Sequence, residues 1–440
     1  MKTKILIILL ALGFLLRIAL SMVSYNGDVN THISWGKDIV NNGTRGFYER
    51  DFSKNYGVSF ANYPPITMIF FSFSYNIYAL IGPFLWKLNT LFSFFPSNFI
   101  FFWKEQKFML PALMKIWAIL ADIGLAYVTY LFTIKLIKSK YSKLPLLTAG
   151  LILFNPAFFY NSSYWGQIDA LPLFFIVSAF YLLLYKKSLY LSSLFIGIAL
   201  LTKQTAFIFV PIFGLVSLNR FGINKTIRGF FLILLIIWVS FLPFIGKNTA
   251  IIYPFATYWY KILNQYGSDY LTAHAFNFWG LTTGLGHIQD LKYLILGISA
   301  RYVASFFVGL IILSIIYKLY RSKYNNQYTI DTIASLFLIP WTIFLFSTRM
   351  HERHLLMTLP FLLIFSIKNT KLLIIFIFLS LFNFLNLYNG WWSPHPPEFF
   401  IQIFSFPTII NTLIIFQIMF YLFLTIKYFK CKIDQNAQYK

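Results

Sequence analysis

The chain is a series of apolar stretches parted by short polar or basic joints, and the length of each stretch decides what it can form. About 20 apolar residues in a helix cross roughly 30 Å of hydrocarbon, and in that solvent only helices and closed barrels satisfy their own backbone. Ile5 to Ser24 is the first such stretch. Leu144 to Tyr160, Pro172 to Tyr185, Gly229 to Gly246, Leu291 to Tyr317, Thr332 to Phe346, Leu355 to Ile367, Leu372 to Tyr388 and Ile401 to Ile426 follow. A further span runs into the basic loop of Lys135, Lys138, Lys140 and Lys143. Ser188 to Leu218 is too long for one crossing and carries Lys203-Gln204 at its centre, so it reads as two short spans meeting at a turn. Ile66 to Trp103, interrupted by Pro83, Lys87 and Pro96, reads either as two spans or as two helices lying in the interface. The expected fold class is all-α, a polytopic transmembrane bundle of about 12 spans, or about 14 if 66–103 crosses twice.

Between the first span and the Tyr63-Pro64-Pro65 turn, Val29, Ile33, Trp35 and Ile39 are spaced for a short helix on the membrane face. The stretch from Tyr25 to Pro65 also holds Asp28, Asp38, Glu49 and Asp51, four of the 13 acidic residues in the chain. Acid is scarce here, so its placement is informative.

With 58% hydrophobic residues in 440, the chain is not a soluble domain. Its net charge of +23 does not point to nucleic acid, because Lys and Arg cluster in short loops, where they set orientation. Lys2 and Lys4 put the N-terminus in the cytoplasm. Both termini then lie inside, 25–65 is an external loop and 427–440 a cytoplasmic basic tail, all within one integral-membrane domain spanning 1–440. Ile5 to Ser24 is longer than a signal-peptide core and lacks a small-x-small cleavage site. Cys431, the single cysteine, excludes an intramolecular disulfide, and no Cys/His spacing matches a zinc site. The 53 Phe read mostly as lipid-facing filler.

On this map the unusual polar groups share the outer side: Asp28, Trp165-Gly166-Gln167-Ile168-Asp169, Lys203-Gln204, and Arg349-Met350-His351-Glu352-Arg353-His354. Asp28, at the membrane rim, is either a general base or a helix N-cap. Asp169 either binds sugar hydroxyls or is a first-turn helix acid. Lys203 either contacts a phosphate or snorkels to the headgroups. Arg349 and Arg353 run against the positive-inside trend and call for an anion, with Glu352 able to orient one of them. Arg17 and Asp122 lie at similar depth within their spans and read as a structural ion pair. His32, His274, His287 and His395 read as interfacial residues.

In this order, an acid after the first span, Tyr63-Pro64-Pro65, Leu120-Ala121-Asp122, Trp165-Gly166-Gln167-Ile168-Asp169, Lys203-Gln204 and Met350-His351-Glu352-Arg353 resemble the GT-C superfamily of membrane glycosyltransferases, over about Met1 to Pro360. The Gly-Gln-x-Asp and His-Glu-Arg elements look most like the bacterial branch related to GPI-anchor mannosyltransferases. His354 stands where that family often has Tyr. The resemblance implies transfer of a hexose such as mannose from a polyprenyl-phosphate donor to an acceptor hydroxyl, outside the bacterial plasma membrane. Asp28 would be the base, and Arg349, Arg353 and Lys203 would hold the donor phosphate. Trp165, Gln167, Asp169, Gln204, His351 and Glu352 would contact substrate, while Tyr63, Pro64 and Pro65 shape the loop. No cofactor is required by the spacing, and a divalent cation on Asp28 with Asp169 or Glu352 is compatible with it. The acceptor class stays open between glycan, lipid and protein. A transporter or flippase of lipid-linked sugars is the alternative. The absence of an internal repeat and the gathering of polar groups at one face argue against it.

Overall fold

A computed structural model of the protein describes residues 2–105, 107–137, 141–246, 251–263, 269–322 and 326–430. Lys138, Lys140, Lys247, Lys323, Cys431 and the remainder of the basic tail lie outside the described residues. Among the described residues ten helices are long and apolar enough to cross a membrane, and three shorter apolar helices, Ala170–Lys186, Leu189–Thr202 and His354–Ser366, accompany them. The protein is an all-helical polytopic bundle.

In chain order the elements are α1 (Lys2–Ser21), α2 (Gly27–Asn42), α3 (Pro65–Leu91), α4 (Ser97–Lys104), α5 (Met109–Ile137), α6 (Leu144–Leu153), α7 (Ala170–Tyr181) and α8 (Leu189–Thr202). They continue as α9 (Val210–Phe221), α10 (Ile223–Phe241), α11 (Ala300–Arg321), α12 (Asn326–Phe346), α13 (Leu359–Ser366), α14 (Thr370–Trp391) and α15 (Pro407–Lys430). Two-residue strands β1 (Thr272–Ala273) and β4 (Met350–His351) pair in parallel, while β2 (Leu294–Ile295) and β3 (Ile298–Ser299) form a small antiparallel pair. The central helix is α12, whose apolar window is 78% buried inside the protein; α1, at 17%, borders the bundle. Phenylalanine serves both environments. Phe306 and Phe307 face outward, whereas Phe47, Phe52, Phe71, Phe132, Phe158 and Phe180 are among the largest fully buried side chains, so the ring is core material as much as lipid-facing filler.

Region 66–103 forms two helices of unequal length, not two spans. Pro64 and Pro65 start α3, whose 27 residues are followed by an α4 of only 8. At 1.5 Å per residue α4 is about 12 Å long, too short to recross a bilayer. It folds back on α3 instead, with Trp103 Nε1 donating to the Tyr78 carbonyl at 3.2 Å and the Tyr78 hydroxyl donating to the Lys104 carbonyl at 3.1 Å. Earlier in α3, Ser74 Oγ donates to the Leu113 carbonyl near the start of α5. Chain 22–108 therefore leaves and re-enters the bundle at one end, since Lys115 of α5 also reaches the carbonyls of Ser21 and Ser24. The stretch 188–218 breaks where a charge interrupts it: α8 stops at Thr202, Lys203 is extended, and a 3-10 turn at Gln204–Phe209 leads into α9.

Inside the bundle Arg17 Nε meets Asp122 Oδ2 at 2.9 Å, both side chains fully buried. Ser162 Oγ donates to the same oxygen at 2.6 Å, and Arg17 Nη1 donates to the Leu153 carbonyl at 2.6 Å. The contacts to Asp122 gather on one carboxylate oxygen, while Asp122 Oδ1 is buried without a hydrogen-bond partner, so the pair is neutralised in charge but not fully hydrogen-bonded. Segment 161–169 is likewise largely buried. Asn161, Ser162 and Ser163 are buried in a wide helical turn, Tyr160–Trp165, that closes at Gly166.

Candidate active site

Asp28 lies in the first turn of α2 but does not cap it; Asn26 does, accepting from the Val29 N–H at 3.0 Å. Its carboxylate turns instead to the 165–167 segment. Trp165 Nε1 and Gln167 Nε2 both donate to Asp28 Oδ2, at 2.9 and 2.7 Å. Two side chains flanking one residue reach the same oxygen because Gly166 has φ +88°, in the left-handed region. A Cβ there would stand 2.6 Å from Val29 Cγ2 and 3.0 Å from Lys115 Cε, so no other residue fits. The remaining Asp28 oxygen takes no hydrogen bond from the described residues. Trp391 stacks on Trp165 with centroids 5.5 Å apart and covers this corner.

A chain of alternating charges adjoins it. Lys203 Nζ donates to Asp169 Oδ1 at 2.7 Å, and Asn161 Nδ2 donates to Asp169 Oδ2 at 3.3 Å. Arg353 Nε lies 3.9 Å from that second oxygen, and Arg353 Nη1 donates to Glu352 Oε1 at 2.8 Å. Asp169 stands at the N-terminus of α7 but makes no side-chain capping bond to it; its carboxylate is taken up by Lys203 and Asn161. Lys203, 2% exposed, does not snorkel; its ammonium also sits 5.6 Å from the Tyr63 ring centroid. Burial works against the Arg353 charge, but Glu352 and Asp169 outweigh it, so the guanidinium pKa is raised. Four polar atoms here, Asn161 Oδ1, Gln167 Oε1, Gln204 Oε1 and Arg353 Nε, are buried without a hydrogen-bond partner. Such atoms cost free energy unless a ligand or water meets them.

Arg349 belongs to a different cluster. It pairs with Asp269 and Asp290, Nε lying 3.0 Å from Asp290 Oδ2, and Arg301 Nη2 reaches Asp290 Oδ1 at 2.7 Å. Two cations and two carboxylates balance there, and Glu352 orients Arg353, not Arg349. The cluster ties the 269–301 segment to the strand β4 that precedes Glu352. His351 shares that strand, and its backbone N–H donates to His354 Nδ1 at 3.2 Å.

Two participants were not apparent from the sequence. His32 is not interfacial: it is 3% exposed and stacks on Phe71 at 4.4 Å, beside Tyr63. Burial lowers its pKa to about 4, against the pull of Asp28 and aided by Lys203 and Arg353, so it is neutral near pH 7. Lys115 is buried in α5 and bonded to segments on both sides of Asp28. Its signal in the sequence is a lysine within an apolar run. Among the described residues no three His, Cys, Asp or Glu side chains converge in a metal-holding group. The carboxylates a divalent cation would draw on, Asp28 and Asp169, already accept from Trp165, Gln167 and Lys203.

Residues 92–348 match the sequence model of Glycosyltransferase family 87. The matched stretch holds Trp165, Gln167, Asp169 and Lys203, while Asp28, Glu352 and Arg353 lie outside it. No curated protein matches the chain.

Proposed function

Because the chain belongs to glycosyltransferase family 87, a family of GT-C membrane glycosyltransferases, we propose that it moves a hexose from a polyprenyl-phosphate donor to an acceptor hydroxyl, with Asp28 as the base. Membership of a glycosyltransferase family sets the transporter alternative aside. Mannose is the sugar the GT-C resemblance favours. The observation that carries the reading is the Asp28 carboxylate, one oxygen pinned by two N–H donors and the other open to a proton. A base must be held still and still accept, and this arrangement meets both needs.

In the proposed reaction the acceptor oxygen attacks the anomeric carbon as its proton passes to Asp28. The bond from that carbon to the phosphate oxygen breaks, and the lipid phosphate leaves with the electron pair. One displacement inverts the anomeric centre. The leaving phosphate needs charge and hydrogen bonds more than a proton, and Arg353 and Lys203, adjacent and buried, suit it. Arg349, already balanced by Asp269 and Asp290, is left with a scaffolding role. The partnerless atoms of Gln167, Gln204 and Asn161 supply hydrogen bonds of the kind sugar hydroxyls need, and Trp165 a stacking face. By the distribution of basic loops the site opens outside a bacterial plasma membrane. The acceptor is a glycan, lipid or protein hydroxyl.

The test is incubation of the purified protein in nanodiscs with a panel of radiolabelled polyprenyl-phosphate hexoses, wild type beside Asp28→Asn. Asn keeps the shape and loses the proton acceptor, so turnover should fall by on the order of 10² to 10⁴ with donor binding retained. Wild-type turnover by Asp28→Asn would remove Asp28 as base, and turnover on nucleotide sugars alone would remove the lipid donor.

A further inference from the structure

Three charged side chains lie buried in α1 and α5 near the site. Arg17 and Asp122 neutralise each other. Lys115, 1% exposed, is bonded only to neutral oxygens: its Nζ donates to the Ser21 carbonyl at 3.0 Å, the Ser24 carbonyl at 2.8 Å, Ser24 Oγ at 2.9 Å and the Tyr164 carbonyl at 3.1 Å. A buried ammonium without a carboxylate is costly, and evenly apolar packing would stabilise α5 at least as well. What distinguishes this position is where its oxygens come from.

They belong to two segments. Ser21 ends α1, and Ser24 follows it in the link that leads through the Asn26 cap into Asp28. Tyr164 immediately precedes Trp165-Gly166-Gln167, the pair of donors that hold Asp28. Ser24 Oγ donates to the Tyr164 carbonyl as well, and Asn26 Nδ2 donates to the Trp165 carbonyl at 2.7 Å. The lysine stem packs beneath Gly166, Cε 3.0 Å and Cγ 3.2 Å from where a Cβ would be. One Nζ, its protons shared among four oxygens, thereby joins both arms of the Asp28 clamp and supports the turn between its donors.

We propose that Lys115 is the positioning residue of the transfer site, fixing Asp28 against Trp165 and Gln167 without touching the reacting atoms. This rests on the reading of Asp28 as base. Lys115 acts only through its neighbours, so its effect appears in the rate and disappears once the clamp is already broken. A purely structural lysine would lower stability and leave the two losses multiplicative.

The experiment is a double-mutant cycle on the full chain in nanodiscs, with Lys115→Met, Gln167→Ala and the double variant. Turnover, donor-lipid affinity and thermal unfolding are read for each. A misplaced base costs rate steeply, so Lys115→Met should lower kcat about 10- to 100-fold while donor affinity stays within about threefold. In the Gln167→Ala background the same change should cost less than about threefold, because coupled residues are not additive. Lys115→Gln, which keeps two N–H donors without charge, should retain an intermediate kcat, and it carries the cycle if Lys115→Met does not fold. Multiplicative losses, or a fall in donor affinity that tracks the unfolding temperature, would overturn the proposal. Failure of the underlying reading looks different: there Asp28→Asn itself would turn over like the wild type.

Discussion

Two arginines four positions apart have opposite circumstances. Arg349 is matched by Asp269 and Asp290, whereas Arg353 keeps Nε unpartnered beside Asp169 and Lys203. A guanidinium offers planar two-point contact to a phosphate that an ammonium cannot copy. Arg353→Lys should therefore weaken donor-lipid binding by roughly 1 to 3 kcal/mol, the scale of a charged hydrogen bond. Arg349→Lys should leave donor affinity unchanged and lower the unfolding temperature instead. Binding and melting of both variants in nanodiscs separate the two, and equal losses of donor affinity would return Arg349 to the phosphate site.

At the level of elements, the base depends on how closely α2 approaches α3. Gly36 allows that approach, since a Cβ there would fall 2.5 Å from the Phe71 carbonyl oxygen, and His32 lies flat on the Phe71 ring one turn away. His32 stays neutral in the folded site while an unfolded His titrates near 6.5, so the unfolded state binds more protons between those pKa values. Stability from this group is complete above about pH 6.5 and is lost as pH falls toward 4, at most about 3 kcal/mol by the size of the shift. Thermal unfolding measured from pH 7.5 to 4.5 should fall less steeply in His32→Phe than in the wild type. Identical slopes would show that the α2–α3 contact carries no such linkage.

For the whole molecule, the polar site occupies one end of the bundle and the basic joints of α1 and α5–α6 the other, where Lys2 Nζ donates to the Ser142 carbonyl. On the proposed positive-inside orientation the site end is external. In a Cys431→Ser background, cysteines at the exposed positions Ser53 and His395 should label with an impermeant reagent from outside intact cells. Cysteines at Tyr141 and Asn224 should label only after the membrane is opened. Labelling of one position from each pair in intact cells would break the assigned orientation.

Sequence alone determined what the solvent demands. Apolar runs of bilayer length can satisfy their backbones only as helices, so the bundle, the break at Lys203 and the similar depths of Arg17 and Asp122 were legible from spacing and charge. The polar groups that gather at the site were also visible, because charge is expensive in such a chain and stands out. Their pairings were not. Whether Asp28 caps α2 or faces Trp165 and Gln167 depends on the left-handed turn at Gly166, and whether Glu352 serves Arg349 or Arg353 depends on where Asp290 arrives from another segment. Lys115 escaped for the same reason: its role lies in which carbonyls surround it, set by the crossing of α1, α5 and the 160–165 turn. Local sequence fixes which groups can ionise or bend the backbone; only the packed bundle fixes which of them come within hydrogen-bonding distance, because that distance sums over every helix contact between them.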